Sequence, residues 1–208
     1  MSETTKKTVH VGIYDTMADW EAGHAIAHLR NGAFRREPGF EVVTVGLTGE
    51  PITTMGGMRV IPDITLDQLS PEGSELLILA GAELWEAGDA LAPFGRAARA
   101  FLDAGVPVAA ICGATAGLAR EGLLNDRDHT SAVLQYLETV EGYEGAKHYL
   151  DEDAVTGGDL ITAGPTEPVA FAREIFGRLG VYRPEVLEAW FRLFAKSDAS
   201  AYEVLMSA

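Results

Sequence analysis

Two stretches of this chain are apolar almost without interruption: Glu75-Leu76-Leu77-Ile78-Leu79-Ala80 and Val106-Pro107-Val108-Ala109-Ala110-Ile111. A strand with one wet face alternates apolar and polar residues, so an unbroken run belongs to a strand covered on both faces. Two such strands confine the chain to a layered fold in which helices flank a sheet. The intervening segments can supply those helices. One is predicted from about Ala92 to Ala104, where Phe94, Ala97, Ala98, Phe101 and Leu102 form a single stripe that Gly105 terminates.

The rest of the chain continues this alternation. Val9–Tyr14 and Phe40–Leu47 read as strands, the latter rich in β-branched residues. Between them, Asp15–Asp19 turns into a helix that includes Glu21, His24, Ile26 and Leu29, followed by a loop from Asn31 to Gly39. Met55–Asp63 reads as a hairpin or turn, and Thr65–Leu69 as a short helix. A helix is expected at Thr115–Glu121, a hairpin around Gly157-Gly158 and a helix at Glu167–Leu179. Together these predict an α/β fold with a mostly parallel central sheet covered on both faces. A break at Gly180–Pro184 divides an α/β domain, residues 1–180, from a C-terminal helical extension, residues 181–208. In that extension Trp190, Phe191, Leu193 and Phe194 form a stripe expected to pack on the domain itself or on a twin subunit.

Charge and cysteine usage narrow the function. Lys and Arg number 16 against 31 Asp and Glu, a net charge of -15. So negative a surface repels phosphate backbones and anionic lipid, so neither nucleic acid nor membrane is an expected partner. The single cysteine, Cys112, rules out an intramolecular disulfide and a cysteine-based zinc site. No apolar run reaches membrane-spanning length, and the polar stretch Met1–Thr8 lacks the apolar core of a signal peptide, so a cytoplasmic location is expected. Neither a Walker lysine nor a G-x-G-x-x-G follows the first strand, and neither a cofactor nor a metal is expected.

The sharpest local signal is Ala110-Ile111-Cys112-Gly113-Ala114. A nucleophile elbow puts the reactive residue on a strained turn between strand and helix, and its neighbours must be small because the arms of the turn nearly touch. A thiol there meets the positive end of the following helix, which is expected to lower its pKa, and backbone N–H groups that can hold an oxyanion. The Gly81-Ala82 loop ends the preceding strand and can bring a second N–H, that of Ala82, beside the Gly113 N–H. Three acids follow the first strand at the sheet edge where ligands bind: Asp15, Asp19 and Glu21. Position alone does not choose among them. His129, the nearest histidine after the elbow, can serve with Asp128 as base and orienter, or can sit in a polar surface loop.

Three segments carry a family resemblance: Ala18-Asp19-Trp20-Glu21, Leu77-Ile78-Leu79-Ala80-Gly81-Ala82, and Ala110-Ile111-Cys112-Gly113-Ala114-Thr115-Ala116-Gly117-Leu118-Ala119. In order and spacing the chain resembles the ThiJ/PfpI superfamily, which includes parkinsonism-associated deglycase-like proteins, PfpI-type intracellular proteases and isonitrile hydratases. The resemblance covers about residues 8 to 180. It implies a flavodoxin-like three-layer sandwich, of the class I glutamine amidotransferase type, and commonly a homodimer. It also implies that Cys112 is the elbow nucleophile, that Glu21 is the acid paired with it, and that Ala82 and Gly113 are the oxyanion donors, with Gly81 and Thr115 beside the pocket. The chain departs from the family in three places. Ala80-Gly81-Ala82 replaces Pro-Gly-Gly. Gly113 stands where the protease-like members have histidine. Ser131 falls where some members carry a histidine on the strand after the elbow helix; His129, two residues earlier, would face the same way on a strand.

These residues point to a cysteine-dependent enzyme acting on a small carbonyl, amide or isonitrile-type substrate. Two other readings compete with it. One is an oxidative-stress sensor whose elbow thiol is oxidised to sulfinic acid. The other is a non-catalytic interaction protein that uses the Trp190 stripe.

Overall fold

A computed structural model describes residues 7–32, 34 and 39–208. The loop expected between Asn31 and Gly39 falls mostly outside these residues, as does most of Met1–Thr8. In chain order the elements begin with β1 (Thr8–Gly12), α1 (Gly23–Asn31), β2 (Glu41–Gly46), the two-residue strands β3 (Ile52–Thr53), β4 (Arg59–Val60) and β5 (Ile64–Thr65), and β6 (Ser74–Leu79). There follow α2 (Ala92–Asp103), β7 (Val108–Ile111), α3 (Gly113–Arg120), α4 (Leu134–Glu138), β8 (Ala154–Gly157), β9 (Leu160–Ala163), α5 (Pro168–Arg178), α6 (Pro184–Lys196) and α7 (Tyr202–Met206).

Seven strands form one sheet in the order β5-β2-β1-β6-β7-β9-β8, and β3 with β4 makes a separate hairpin. Every pairing in the large sheet is parallel except that of the edge strand β8 with β9. The two unbroken apolar runs become β6 and β7, neighbours in the middle of the sheet. Successive side chains of a strand point to opposite faces, and the core divides accordingly. Leu76, Ile78, Ala109, Ile111 and Ile161 pack with Ala25 and Leu29 of α1 and Phe171, Ile175 and Phe176 of α5. Leu77, Leu79, Val108, Ala110 and Leu160 pack with Phe94, Ala98 and Phe101 of α2 and Leu118 of α3. This three-layer α/β sandwich is the arrangement that the alternation predicts.

The C-terminal helices lie on the first of these faces. Trp190 of α6 is fully buried, its ring centroid 4.9 Å from Phe176 and 5.2 Å from His28. The aromatic stripe thus packs on its own chain, although Phe194 at its end stays 36% exposed.

Several local expectations are corrected. The helix expected to include Glu21 begins only at Gly23, so Glu21 belongs to the turn before it. Where Thr65–Leu69 reads as a helix, Ile64–Thr65 is an edge strand and only one 3-10 turn follows, at Leu66–Gln68, closed by a capping box between Thr65 and Gln68. The helix α4 has no counterpart in the sequence reading, since five residues are too few to establish a period. Among the described residues, no helix is long and apolar enough to cross a membrane.

Strand order positions the site. From β1 the chain moves outward to β2 and later returns to the other side of β1 with β6. In a parallel sheet this reversal opens a crevice at the carboxyl ends of the strands. The loops leaving β1, β6 and β7 carry Glu21, Gly81-Ala82 and Cys112, and meet at that edge.

Candidate active site

Cys112 follows β7 directly and precedes the first residue of α3. Its backbone has φ 58° and ψ -129°, a left-handed conformation that a residue with a side chain rarely adopts. The chain around it is secured on both sides. The Cys112 N–H donates to the Ala163 carbonyl at 3.1 Å, and the Cys112 carbonyl accepts from the Thr115 N–H at 3.0 Å and from Thr115 Oγ1 at 2.6 Å. The thiol is half-buried.

Of the three acids after β1, only Glu21 turns inward. Asp15 Oδ1 accepts from the Thr53 N–H at 2.7 Å, and Asp19 Oδ2 from the Gly56 N–H at 2.6 Å, so both hold the β3–β4 hairpin. Glu21 has no exposed surface, and its Oε2 accepts from the Gly81 N–H at 2.5 Å. The other oxygen, Oε1, is buried without a well-formed hydrogen bond, and the carboxyl acts on the Cys112 thiol as a hydrogen-bonding partner. Gly81 lies between the two groups. A Cβ there would stand 2.9 Å from Glu21 Oε2 and 3.0 Å from Cys112 Sγ, so no larger residue fits.

The end of β6 is braced from behind. Trp85 Nε1 and the Tyr14 hydroxyl both donate to the Ala80 carbonyl, the former at 2.9 Å. Ala82 is bridged to Met17 in the loop that leads to Glu21, and the Ala18 N–H donates to the Gly81 carbonyl at 2.9 Å. The loop that carries Glu21 and the Gly81-Ala82 loop are therefore one hydrogen-bonded unit. The residues read from sequence as Glu21, Gly81, Ala82, Cys112, Gly113 and Thr115 all gather here.

His129 is placed differently. No strand forms around it, only a single bridge to Tyr149. Its buried ring has both nitrogens engaged elsewhere, Nδ1 on the Arg127 carbonyl and Nε2 with the Tyr143 hydroxyl, each at 2.8 Å. A carbonyl only accepts, so Nδ1 carries the proton and Nε2 accepts from Tyr143. Burial lowers its pKa, and no hydrogen bond joins it to the thiol. Ser131, not His129, reaches the elbow: its hydroxyl lies 2.7 Å from Thr115 Oγ1.

The charges at the site oppose one another. Burial pushes the Glu21 carboxyl up to about 7, against the pull of the Gly81 N–H and of the thiol. Burial, and then the Glu21 carboxylate, push the Cys112 thiol up to about 12, while the Gly113 N–H draws it down. The expected lowering of the thiol pKa is thus reversed: lost hydration and a neighbouring carboxylate outweigh the helix end. Both shifts have one consequence. The pair accepts a single negative charge near neutrality and a second only at high pH, so one proton is shared between carboxyl and thiol. Glu86 and Tyr136 carry no sequence signal, yet they lie within electrostatic reach of Cys112, joined to each other by a 3.2 Å hydrogen bond. Among the described residues, no group of three or more His, Cys, Asp or Glu could hold a metal ion.

Comparison with known proteins agrees with this architecture. The chain is 40% identical over 190 residues to the uncharacterized protease YoaZ of Bacillus subtilis, covering 90% of each chain. It is 25% identical over 138 residues to the glutathione-independent glyoxalase DJR-1.2 of Caenorhabditis elegans, covering 66% of this chain and 72% of the relative. The crystal structure of a thiJ/pfpI family protein from Bacillus anthracis superposes with a TM-score of 0.92 at 37% identity, over 97% of this chain and 96% of that one. The model of the DJ-1/PfpI family matches residues 7–178, from the start of β1 to the end of α5, and the chain belongs to that family.

Proposed function

We propose that this protein is a cysteine-dependent enzyme acting on a small carbonyl, amide or isonitrile-type electrophile. The observation that carries the proposal is a thiol on a strained elbow beside a fully buried carboxyl whose second oxygen lacks a well-formed hydrogen bond. A carboxyl kept out of solvent, held by one backbone N–H and set against a thiol, is placed to exchange a proton with that thiol. Two relatives are named as a protease and a glyoxalase, names that describe reactions at carbonyl carbon and support the same chemistry.

In this reading Cys112 Sγ attacks the electrophilic carbon as its proton passes to the Glu21 carboxylate. A carbon–sulfur bond forms; at a carbonyl or amide the C=O π bond breaks and its electron pair moves to oxygen, and at an isonitrile the electron pair stays on the attacked carbon, which takes the proton. The N–H groups of Gly113 and Ala82 face the developing negative charge, and Glu21 returns the proton to it. Gly81 contributes twice: its N–H orients the carboxyl, and its missing side chain lets carboxyl and thiol meet. The enzyme works as a homodimer on a small molecule in the cytoplasm.

A panel of 2-oxoaldehydes and small amides tests this proposal. Cys112→Ala reduces turnover to background. Glu21→Gln lowers kcat by about 100-fold or more while KM changes little, since it removes proton transfer and keeps the shape. A Glu21→Gln variant with wild-type kcat on every substrate turned over refutes the assignment.

A further inference from the structure

The hydroxyl groups of Thr115 and Ser131 form a relay whose direction is fixed. The Cys112 carbonyl can only accept, so Thr115 Oγ1 donates its proton there, at 2.6 Å. With that proton committed, the 2.7 Å contact between the hydroxyls has Ser131 as donor. Both side chains are buried, Thr115 fully and Ser131 to 4% exposure, so water does not compete for these bonds.

The carbonyl they hold belongs to the same peptide unit as the Gly113 N–H. In a trans peptide the two point in opposite directions, so fixing one aims the other. At φ 58° and ψ -129° the Cys112–Gly113 peptide is in a sparsely populated orientation, and rotating it would carry the N–H away from Sγ. That N–H favours the thiolate. We propose that Thr115, backed by Ser131, is a positioning residue that locks this peptide and keeps the Gly113 N–H on the reacting side. Ser131 then supports the elbow from behind. The inference deepens the enzymatic reading above and rests on it.

Cys112 is the only cysteine, so the pH profile of its alkylation by iodoacetamide reports this site alone. Thr115→Val keeps the volume and the backbone N–H bond but removes the hydroxyl. It is expected to move the alkylation profile upward by about one pH unit, the effect of weakening one N–H···S⁻ bond. Thr115→Ser restores the wild-type profile, and Ser131→Ala shifts it in the same direction by less. In the enzyme, Thr115→Val lowers kcat and leaves KM nearly unchanged. Thermal unfolding of each variant establishes that the fold persists, and the Thr115→Ser rescue separates a lost hydroxyl from damaged packing.

Glu21→Gln in parallel separates the two ideas. If it moves the profile and Thr115→Val does not, the shared-proton site stands and the positioning role is wrong. If Thr115→Val moves the profile and Glu21→Gln does not, the positioning role stands and the part given to Glu21 falls. If neither moves it, both fail.

Discussion

Glu21 is the residue on which most of the site's energetics turn. Its carboxyl titrates near 7 in the folded chain, against 4.5 for the group in water. A folded state that binds a proton more tightly than the unfolded chain gains stability from it below the unfolded pKa. That gain is lost as pH rises through the folded pKa. The protein should therefore lose stability between about pH 4.5 and pH 7 from this group alone. Glu21→Gln, which is never ionised, should match wild type near pH 4 and exceed it at pH 8 by at most about 3 kcal/mol. Denaturant unfolding of both proteins at the two pH values tests this, and equal stability at pH 8 would show that the carboxyl is not buried as charge. The same residue shows how far sequence could go. Asp15, Asp19 and Glu21 share a loop and a charge. What distinguishes them is that the first two meet the N–H groups of Thr53 and Gly56, a contact between segments nearly forty residues apart. The resemblance singled out Glu21; composition and spacing did not.

Among the elements, those with a continuous apolar run or a long apolar face were legible, and the shortest pieces were not. The strands β6 and β7 follow from their unbroken apolar runs, and the helices α2, α5 and α6 from periodicity, because each of these helices has enough residues to show a face. The strands β3 to β5 have two residues each, and their existence depends on partners rather than on their own pattern. His129 illustrates the same limit. Sequence reasoning needed a strand to turn it toward the elbow; the chain forms a single bridge there, and the ring is satisfied by Arg127 and Tyr143. The helix α6 permits a direct test of its packing. Trp190 fills the space between α1 and α5, so Trp190→Ala should cost about 3–5 kcal/mol, the usual penalty for emptying a large aromatic site. Urea unfolding measures it, and a loss below about 1 kcal/mol would mean that α6 is only loosely attached.

At the scale of the whole molecule, the interface of the proposed homodimer is written in surface residues that no periodicity marks. The hairpin β3–β4 and the residues after it leave Met55, Met58 and Ile61 exposed, the last at 69%. If this face joins two copies, light scattering after gel filtration will show a mass of two chains for wild type and of one for Ile61→Glu. A dimeric Ile61→Glu variant would place the contact elsewhere. The strand order has a further consequence, for how chemistry is acquired during folding. Glu21, Gly81 and Cys112 arrive on three adjacent strands that are far apart in sequence, and none meets the others until the strands are in register. A nascent or refolding chain therefore carries an exposed thiol with an ordinary pKa, below that of the folded site. The contact between thiol, carboxyl and backbone is assembled only by the zipping of β1, β6 and β7, the slow, non-local step of building a parallel sheet. Partly folded chains are therefore more open to alkylation at Cys112 than the finished protein, and completing the sheet shields the thiol while it builds the site.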